Sequence, residues 1–338
     1  MPATDEVNWV RRRELIAFVG GAAAFPFHAT AQQAARPVIG VLASASSVAF
    51  APQLDGFRRG LAEAGYAEGQ NVTIEYRWAD DRYERLPALA AELVARGVAV
   101  IHAADSPAAK AAKAAKAATA SIPVIFVVGS DPVDAGLVKS LGRPGENLTG
   151  MYLYIGGLVA KKLELLREAA PAVDNIGLVV NPGTPSAKLD TAEWAAAVPS
   201  SGKPLARILN AGTDAEIDAV FAQLGKSGTT AAVVGTDSFY FAHRQHLAAA
   251  AAARRVPTIY YAREFATAGG LMSYGANIPD VVRRAGIYAA LVLQGGRPID
   301  MPVQQPTKFE LIINLKTARA LDLTIPPSIL ARADEVIE

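Results

Sequence analysis

The chain has 338 residues, with 33 Lys and Arg against 32 Asp and Glu, and no cysteine. Its formal charge of +1 lacks the basic excess that a nucleic-acid surface requires. With no cysteine there is no disulfide and no thiol to carry a lipid anchor, so a buried apolar core must hold the fold.

Arg11-Arg12-Arg13 precede an uncharged, largely apolar stretch over 15–25, and Ala29-Thr30-Ala31 stand just before Gln32. A basic start, a short apolar core and an Ala-x-Ala exit predict a secretory signal peptide over residues 1–31. The apolar stretch falls short of the ~20 residues that span a bilayer. Arg12-Arg13-Glu14-Leu15-Ile16 also fits the twin-arginine pattern loosely. The remaining chain, 338 less 31 or about 307 residues, is expected to be exported and free of direct membrane insertion after cleavage. It has room for two domains.

From Pro37 onward, short β-branched runs alternate with longer alanine-rich helical patterns. Residues 38–42 read as a buried strand and 53–64 as a helix closing at Gly65. An alternating, more exposed strand follows over 72–78, then a helix over 83–96 capped by Gly97. Residues 98–102 form a third strand, 107–119 a third helix and 123–128 a fourth strand. The pattern restarts with a helix over 158–170 ended by Pro171. Strands follow over 176–180, 205–209, 231–234 and 258–261, with helices over 214–224 and 239–255. A helix over 279–294, a Gly-Gly-Arg-Pro turn and a strand-like 309–313 close the chain. The predicted fold is α/β: two doubly wound parallel-sheet lobes, divided near 150–157 and joined by a hinge.

Open α/β sheets bind ligands beyond the carboxyl ends of their strands. The loops there are Ala43-Ser44-Ala45-Ser46-Ser47, Ala104-Asp105-Ser106-Pro107 and Gly129-Ser130-Asp131-Pro132 in the first half. Asn181-Pro182-Gly183-Thr184-Pro185 and Gly235-Thr236-Asp237-Ser238 take the same places in the second. Such Ser-, Thr- and Gly-rich turns at helix starts favour an anionic group, and an acid across the cleft, Asp237 first, can pair with an ammonium. Helix capping explains any single one of these residues equally well, but five loops meeting at one cleft favour binding for the set. Aromatics gather in the second half, in Phe239-Tyr240-Phe241, Tyr260-Tyr261 and Tyr274, with Tyr152 and Tyr154 at the crossover. Tyr152, Phe239 and Tyr261 are singled out as ligand contacts among residues that otherwise build core.

Enzyme signatures are absent: no dinucleotide or phosphate loop, no Gly-x-Ser-x-Gly elbow and no cysteine nucleophile. His243 and His246, three apart on a helix, lack a third metal-ligand motif and read as a solvated face, so no metal and no cofactor is expected. Asp80-Asp81 read as caps of the helix that follows rather than a carboxylate pair.

Gly56-Phe57-Arg58-Arg59-Gly60-Leu61, Gly65-Tyr66 and Asn71-Val72-Thr73-Ile74-Glu75-Tyr76-Arg77-Trp78 resemble the periplasmic solute-binding proteins of ABC transporters. So do Tyr83-Glu84-Arg85-Leu86-Pro87, Asp131-Pro132-Val133, Asn147-Leu148-Thr149-Gly150 and Lys162-Leu163-Glu164-Leu165-Leu166. The likeness continues through Arg263-Glu264-Phe265, Gly269-Gly270-Leu271-Met272-Ser273-Tyr274-Gly275 and Gln305-Pro306-Thr307-Lys308-Phe309. The group resembled is the tryptophan/tyrosine-type amino-acid receptors, and the likeness covers essentially all of the chain after the leader. It implies a type I periplasmic-binding fold whose lobes are 36–151 with about 277–302, and 152–276 with about 303–338. Ser44, Ser106, Ser130 and Asp131 match positions that hold the ligand's head group in such receptors, and Asp237 matches the second-lobe acid. Asp105-Ser106 stands where many relatives carry small residues with Thr.

The expected function is capture of a small carboxylated ligand, amino-acid-like or aromatic, by hinge closure, and delivery to an ABC permease in the inner membrane. The expected ligand contacts are Ser44, Ser106, Ser130, Asp131, Tyr152, Asn181, Thr184, Asp237, Ser238, Phe239 and Tyr261. The protein is expected to be a monomer in the periplasm. Two other readings use the same cleft: an α/β hydrolase-like enzyme, which the scarcity of histidine opposes, and a ligand-sensing regulatory module, which would need an appended DNA-binding segment.

Overall fold

The computed structural model describes residues 36–116, 122–153, 158–198, 206–226 and 230–338. The leader expected over 1–31, Tyr154 and the first residue of the strand expected at 205 lie outside them. Among the described residues no helix is long and apolar enough to cross a membrane.

The first lobe is built from β1 (Val38–Ala43), α1 (Ser47–Glu63), β2 (Thr73–Trp78), α2 (Leu86–Arg96), β3 (Val100–Ala103), α3 (Ser106–Lys116), β4 (Val124–Val128) and β5 (Leu148–Tyr152). Its five strands are all parallel, in the order β2-β1-β3-β4-β5. β1 lies between β2 and β3, with Ile39 opposite Ile74 on one side and Val100 on the other. Successive β1 side chains point to opposite faces, and both faces are covered. Ile39 and Val41 pack with Phe57 and Leu61 of α1, while Leu42 packs with Leu86, Leu89 and Leu93 of α2. Burying each such side chain contributes about 1.5–3 kcal/mol.

The second lobe contains α4 (Leu158–Ala169), β6 (Asn175–Val180), α5 (Pro185–Ala197), β7 (Ala206–Asn210), α6 (Asp214–Gly225), β8 (Thr230–Val234), α7 (Ser238–Ala242), α8 (Arg244–Ala253), β9 (Thr258–Tyr260), α9 (Arg263–Thr267) and β10 (Met272–Ala276). After β10 the chain returns to the first lobe as α10 (Ile278–Leu293). It ends with β11 (Phe309–Asn314), α11 (Leu315–Ala320), α12 (Pro327–Leu330) and β12 (Glu335–Ile337). The seven strands run β12-β11-β10-β9-β8-β6-β7, parallel except that β11 is antiparallel to β10.

α10 belongs with α1 because small residues let their backbones touch. A Cβ on Gly60 would lie 1.8 Å from the Arg283 carbonyl oxygen, and one on Gly286 would lie 2.2 Å from that of Phe57. Val281, Ala285, Tyr288 and Ala289 of α10 then join Phe57 and Leu61 in one apolar cluster.

Several expected boundaries move. α1 starts at Ser47, six residues before the expected position 53, and carries Pro52 inside it. A proline suggests a helix start, but the cap here is Ser46, whose Oγ accepts from the Ala49 N–H at 3.3 Å. The helix expected over 239–255 is broken at His243 into α7 and α8. Asp80 and Asp81 do not cap the next helix: both have left-handed backbone, with φ of 53° and 61°. That conformation aims Asp80 Oδ2 at Arg85, 2.8 Å away. β5 and β10 were not foreseen; Gly150 and Gly275 interrupt their apolar pattern.

Candidate functional site

The carboxyl ends of β1, β3 and β4 face those of β6 and β8 across a cleft that encloses a cavity of about 100 Å³. That space admits a small molecule and no folded partner. The early start of α1 brings Ala49, Phe50 and Gln53 to the wall, and the start of α3 brings Asp105, Ser106 and Pro107. Opposite stand Thr184, which caps α5, Ser186 in its first turn, and Thr236, Asp237 and Ser238 after β8. Phe241, Tyr261, Leu153, Ile278 and Val282 make the rest largely apolar, and among the described residues no lysine or arginine lines the cavity.

The two buried acids are in different states. Asp105 is fully engaged in the first lobe: Oδ2 accepts from the Ser44 N–H and Oγ, each at 2.8 Å, and Oδ1 accepts from the Ala108 N–H at 2.8 Å. Burial still pushes its pKa up against those donors. Asp237, 7% exposed, caps α7; Oδ1 accepts from the Phe239 N–H and from Asn181 Nδ2, both at 2.9 Å. Its Oδ2 accepts no hydrogen bond from the described residues. Burial raises the Asp237 pKa to about 6, only partly offset by those two donors, with Asp105 and Asp190 adding repulsion. The wall therefore presents a half-used carboxylate that gains from a cation.

A buried support lies beneath it. Asp190 Oδ2 accepts from the Thr236 N–H at 2.7 Å and so fixes the loop that carries Asp237. Burial raises Asp190 to about 6, which the charge of Lys162 opposes. Lys162 is completely buried, with Nζ 3.4 Å from the Val234 carbonyl. Tyr261 adds a further tie by donating its hydroxyl to the Asp237 carbonyl at 2.7 Å.

Of the residues expected from the sequence, Ser106, Thr184, Asp237, Ser238 and Tyr261 stand on the cavity wall. Ser44 lies behind it as the donor to Asp105, and Ser130 stands 3.3 Å from the Ser106 hydroxyl. Asn181 reaches the site through Asp237. Three others are placed elsewhere: Asp131 caps a turn by accepting from the Val133 N–H at 2.7 Å, Tyr152 packs in the first-lobe core, and Phe239 lies against His243 with ring centroids 4.2 Å apart and the rings tilted by 33°. Gln53, Phe50, Phe241, Ile278 and Val282 were not expected. Knowing that Ser46 caps α1 would have exposed the first two, since 49, 50 and 53 share a helical face.

His243 and His246 face different acids. His243 lies between Asp81 and Asp214, while His246 Nε2 is 3.1 Å from Asp218. Among the described residues no three His, Cys, Asp or Glu side chains gather as a metal site.

Two lobes of type I periplasmic-binding fold, with a small-molecule cavity at their junction, define a solute-binding protein. Residues 38–337 match the ABC transporter substrate binding protein family, and the chain belongs to that family. A tyrosine-binding protein of Clostridioides difficile (strain R20291) is 29% identical over 277 residues, covering 80% of this chain and 78% of the relative. An ABC domain from Streptococcus pneumonia, solved in complex with L-Trp, is 27% identical with a TM-score of 0.79, covering 89% of this chain and 100% of the other. A ligand-free, open substrate binding protein with adhesive properties from Clostridium difficile is 25% identical with a TM-score of 0.64, covering 89% and 99%.

Proposed function

We propose that this protein is an exported receptor of an ABC importer that closes its lobes on a small aromatic amino acid of the tyrosine or tryptophan type. The observation that carries this reading is the unused Oδ2 of Asp237 on a largely apolar wall to which the described residues bring no lysine or arginine. An α-ammonium group would pair with that oxygen. The α-carboxylate would lie toward the starts of α3 and α5, whose helix N-termini favour an anion. Phe50, Phe241 and Tyr261 supply a surface for a ring. The chain superposes better on the tryptophan complex than on the open form, which supports a lobe arrangement near the closed state.

The lobes are taken as 36–151 with about 277–302, and 152–276 with about 303–338. α10 packing on α1, and β11 pairing with β10, support those borders. Closure then rotates one lobe on three crossing segments and selects the liganded form from an open–closed equilibrium. In this reading residues 1–31 direct export, and the mature monomer meets its permease at the outer face of the inner membrane. Calorimetric titration of the mature protein tests the ligand class: saturable binding of L-tyrosine or L-tryptophan supports it, and binding of sugars alone would refute it.

A further inference from the structure

Gln53 is an anomaly in the cavity wall. It sits on α1, one turn after Ala49 and Phe50, and only 4% of it is exposed. Its Oε1 is sealed from solvent and accepts no hydrogen bond from any described residue. Folded proteins seldom bury an amide in this way, because water's hydrogen bonds are lost without replacement. The neighbouring polar groups on the same lobe are already used: Asp105 by Ser44 and Ala108, Ser106 by Ser130. Beside Gln53 the wall is apolar. Ile278 and Val282 reach the cavity from α10, which lies against α1 so closely that a Cβ on Gly56 would sit 2.8 Å from the Pro279 carbonyl. A leucine or methionine would fill such a place at no polar cost.

Building on the receptor reading above, we propose that Gln53 is the specificity-determining residue of this site. Turning the carboxamide about its last torsion exchanges Oε1 with Nε2 and brings the oxygen to the ligand, where it accepts a hydrogen bond from the polar atom of the side chain, a phenol O–H or an indole N–H. Asp237 Oδ2, on the opposite lobe, holds the ammonium end. The ligand would thus be fixed by one polar contact from each lobe, with its ring between them, so both contacts are complete only when the cleft is shut. A site that buries an amide for this purpose rejects the analogue lacking the donor, because the amide is then left unpaired. L-phenylalanine is that analogue.

The test is calorimetric titration of the wild-type protein, Gln53→Leu and Gln53→Met with L-tyrosine, L-tryptophan and L-phenylalanine, together with thermal melts of the unliganded proteins. The wild type should bind at least one of the first two about tenfold or more tighter than L-phenylalanine, the ratio expected for one unmade buried hydrogen bond. Either substitution should bring that ratio to within about threefold by weakening the donor-bearing ligand alone. The unliganded variants should melt at or above the wild-type temperature, since each removes an unpaired buried amide; a structural role for Gln53 would instead lower it. A ratio unchanged by both substitutions, equal loss for all three amino acids, or variants that melt well below wild type would each overturn the proposal. If the wild type binds L-phenylalanine as tightly as the others, the receptor reading stands and the role of Gln53 falls. If it binds none of the three, both fall.

Discussion

His243 Nε2 lies 3.4 Å from Asp81 Oδ2, joining the loop after β2 on the first lobe to the α7–α8 junction on the second. The other ring nitrogen of His243 is 2.7 Å from Asp214 Oδ1, so a second acid steadies the imidazole. Asp81 holds its position through a left-handed backbone and an N–H that donates to the Ser44 carbonyl at 2.8 Å. Such strain is maintained only where the surroundings over-determine it. Here it places a carboxylate against the opposite lobe.

This contact should favour the closed state. Because the pair is partly solvated, its contribution is about 0.2–1 kcal/mol. His243→Gln or Asp81→Ala should therefore weaken ligand affinity by at most about fivefold, mainly through faster dissociation. Stopped-flow measurement checks this, and the double variant should lose no more than the larger single effect if the two residues act as one contact.

Asp237 makes binding depend on pH. Its pKa is raised to about 6 in the free protein, so the folded state holds a proton there that the unfolded state has already released. The sign follows: Asp237 costs no stability below its ordinary carboxylate range, costs progressively more up to about pH 6, and has a constant cost above. Asp190 acts in the same direction. A ligand ammonium needs the ionised form, so affinity should strengthen from pH 5 to pH 7 and then level off. Asp237→Asn should flatten that profile, lower affinity at pH 7, and raise the stability of the unliganded protein at pH 7 by about 1–3 kcal/mol. Titration calorimetry and denaturant melts at both pH values check these outcomes.

Lys162 should be costly to remove. Lys162→Met removes the positive charge that opposes the burial of Asp190, and a buried carboxylate left less compensated should cost about 1–3 kcal/mol. Lys162→Met combined with Asp190→Asn should recover part of that stability. It should still bind ligand more weakly, because the Thr236 N–H loses its charged acceptor. Urea melts of the three variants decide the matter.

Gly60 and Gly286 set how closely α1 and α10 approach. Alanine at either would drive a methyl group into a backbone carbonyl, so Gly60→Ala or Gly286→Ala should cost more than about 2 kcal/mol. Ile278 and Val282 ride on α10, so affinity should also fall.

The alternation of buried strands and helices was legible because periodicity depends only on which faces are covered. β1, β3, β4, β6 and β8 appear where their apolar runs place them. The cleft loops followed from strand direction, and Ser106, Thr184, Asp237, Ser238 and Tyr261 reached the wall as a result. Other features depend on three-dimensional neighbours. Pro52 hid the true start of α1, and with it Phe50 and Gln53. The broken helix at His243 and the positive φ values of Asp80 and Asp81 answer to contacts within and between the lobes, which no local pattern records. Tyr152 and Phe239 had the composition of a binding aromatic but were needed by the core and by His243.

Small-angle X-ray scattering of the mature protein, with and without saturating L-tyrosine or L-tryptophan, tests the central claim most directly. Hinge closure on a guest predicts a smaller radius of gyration with ligand, and a liganded profile that matches the lobe arrangement described above. Identical profiles with and without ligand, under conditions where calorimetry shows saturation, would contradict it.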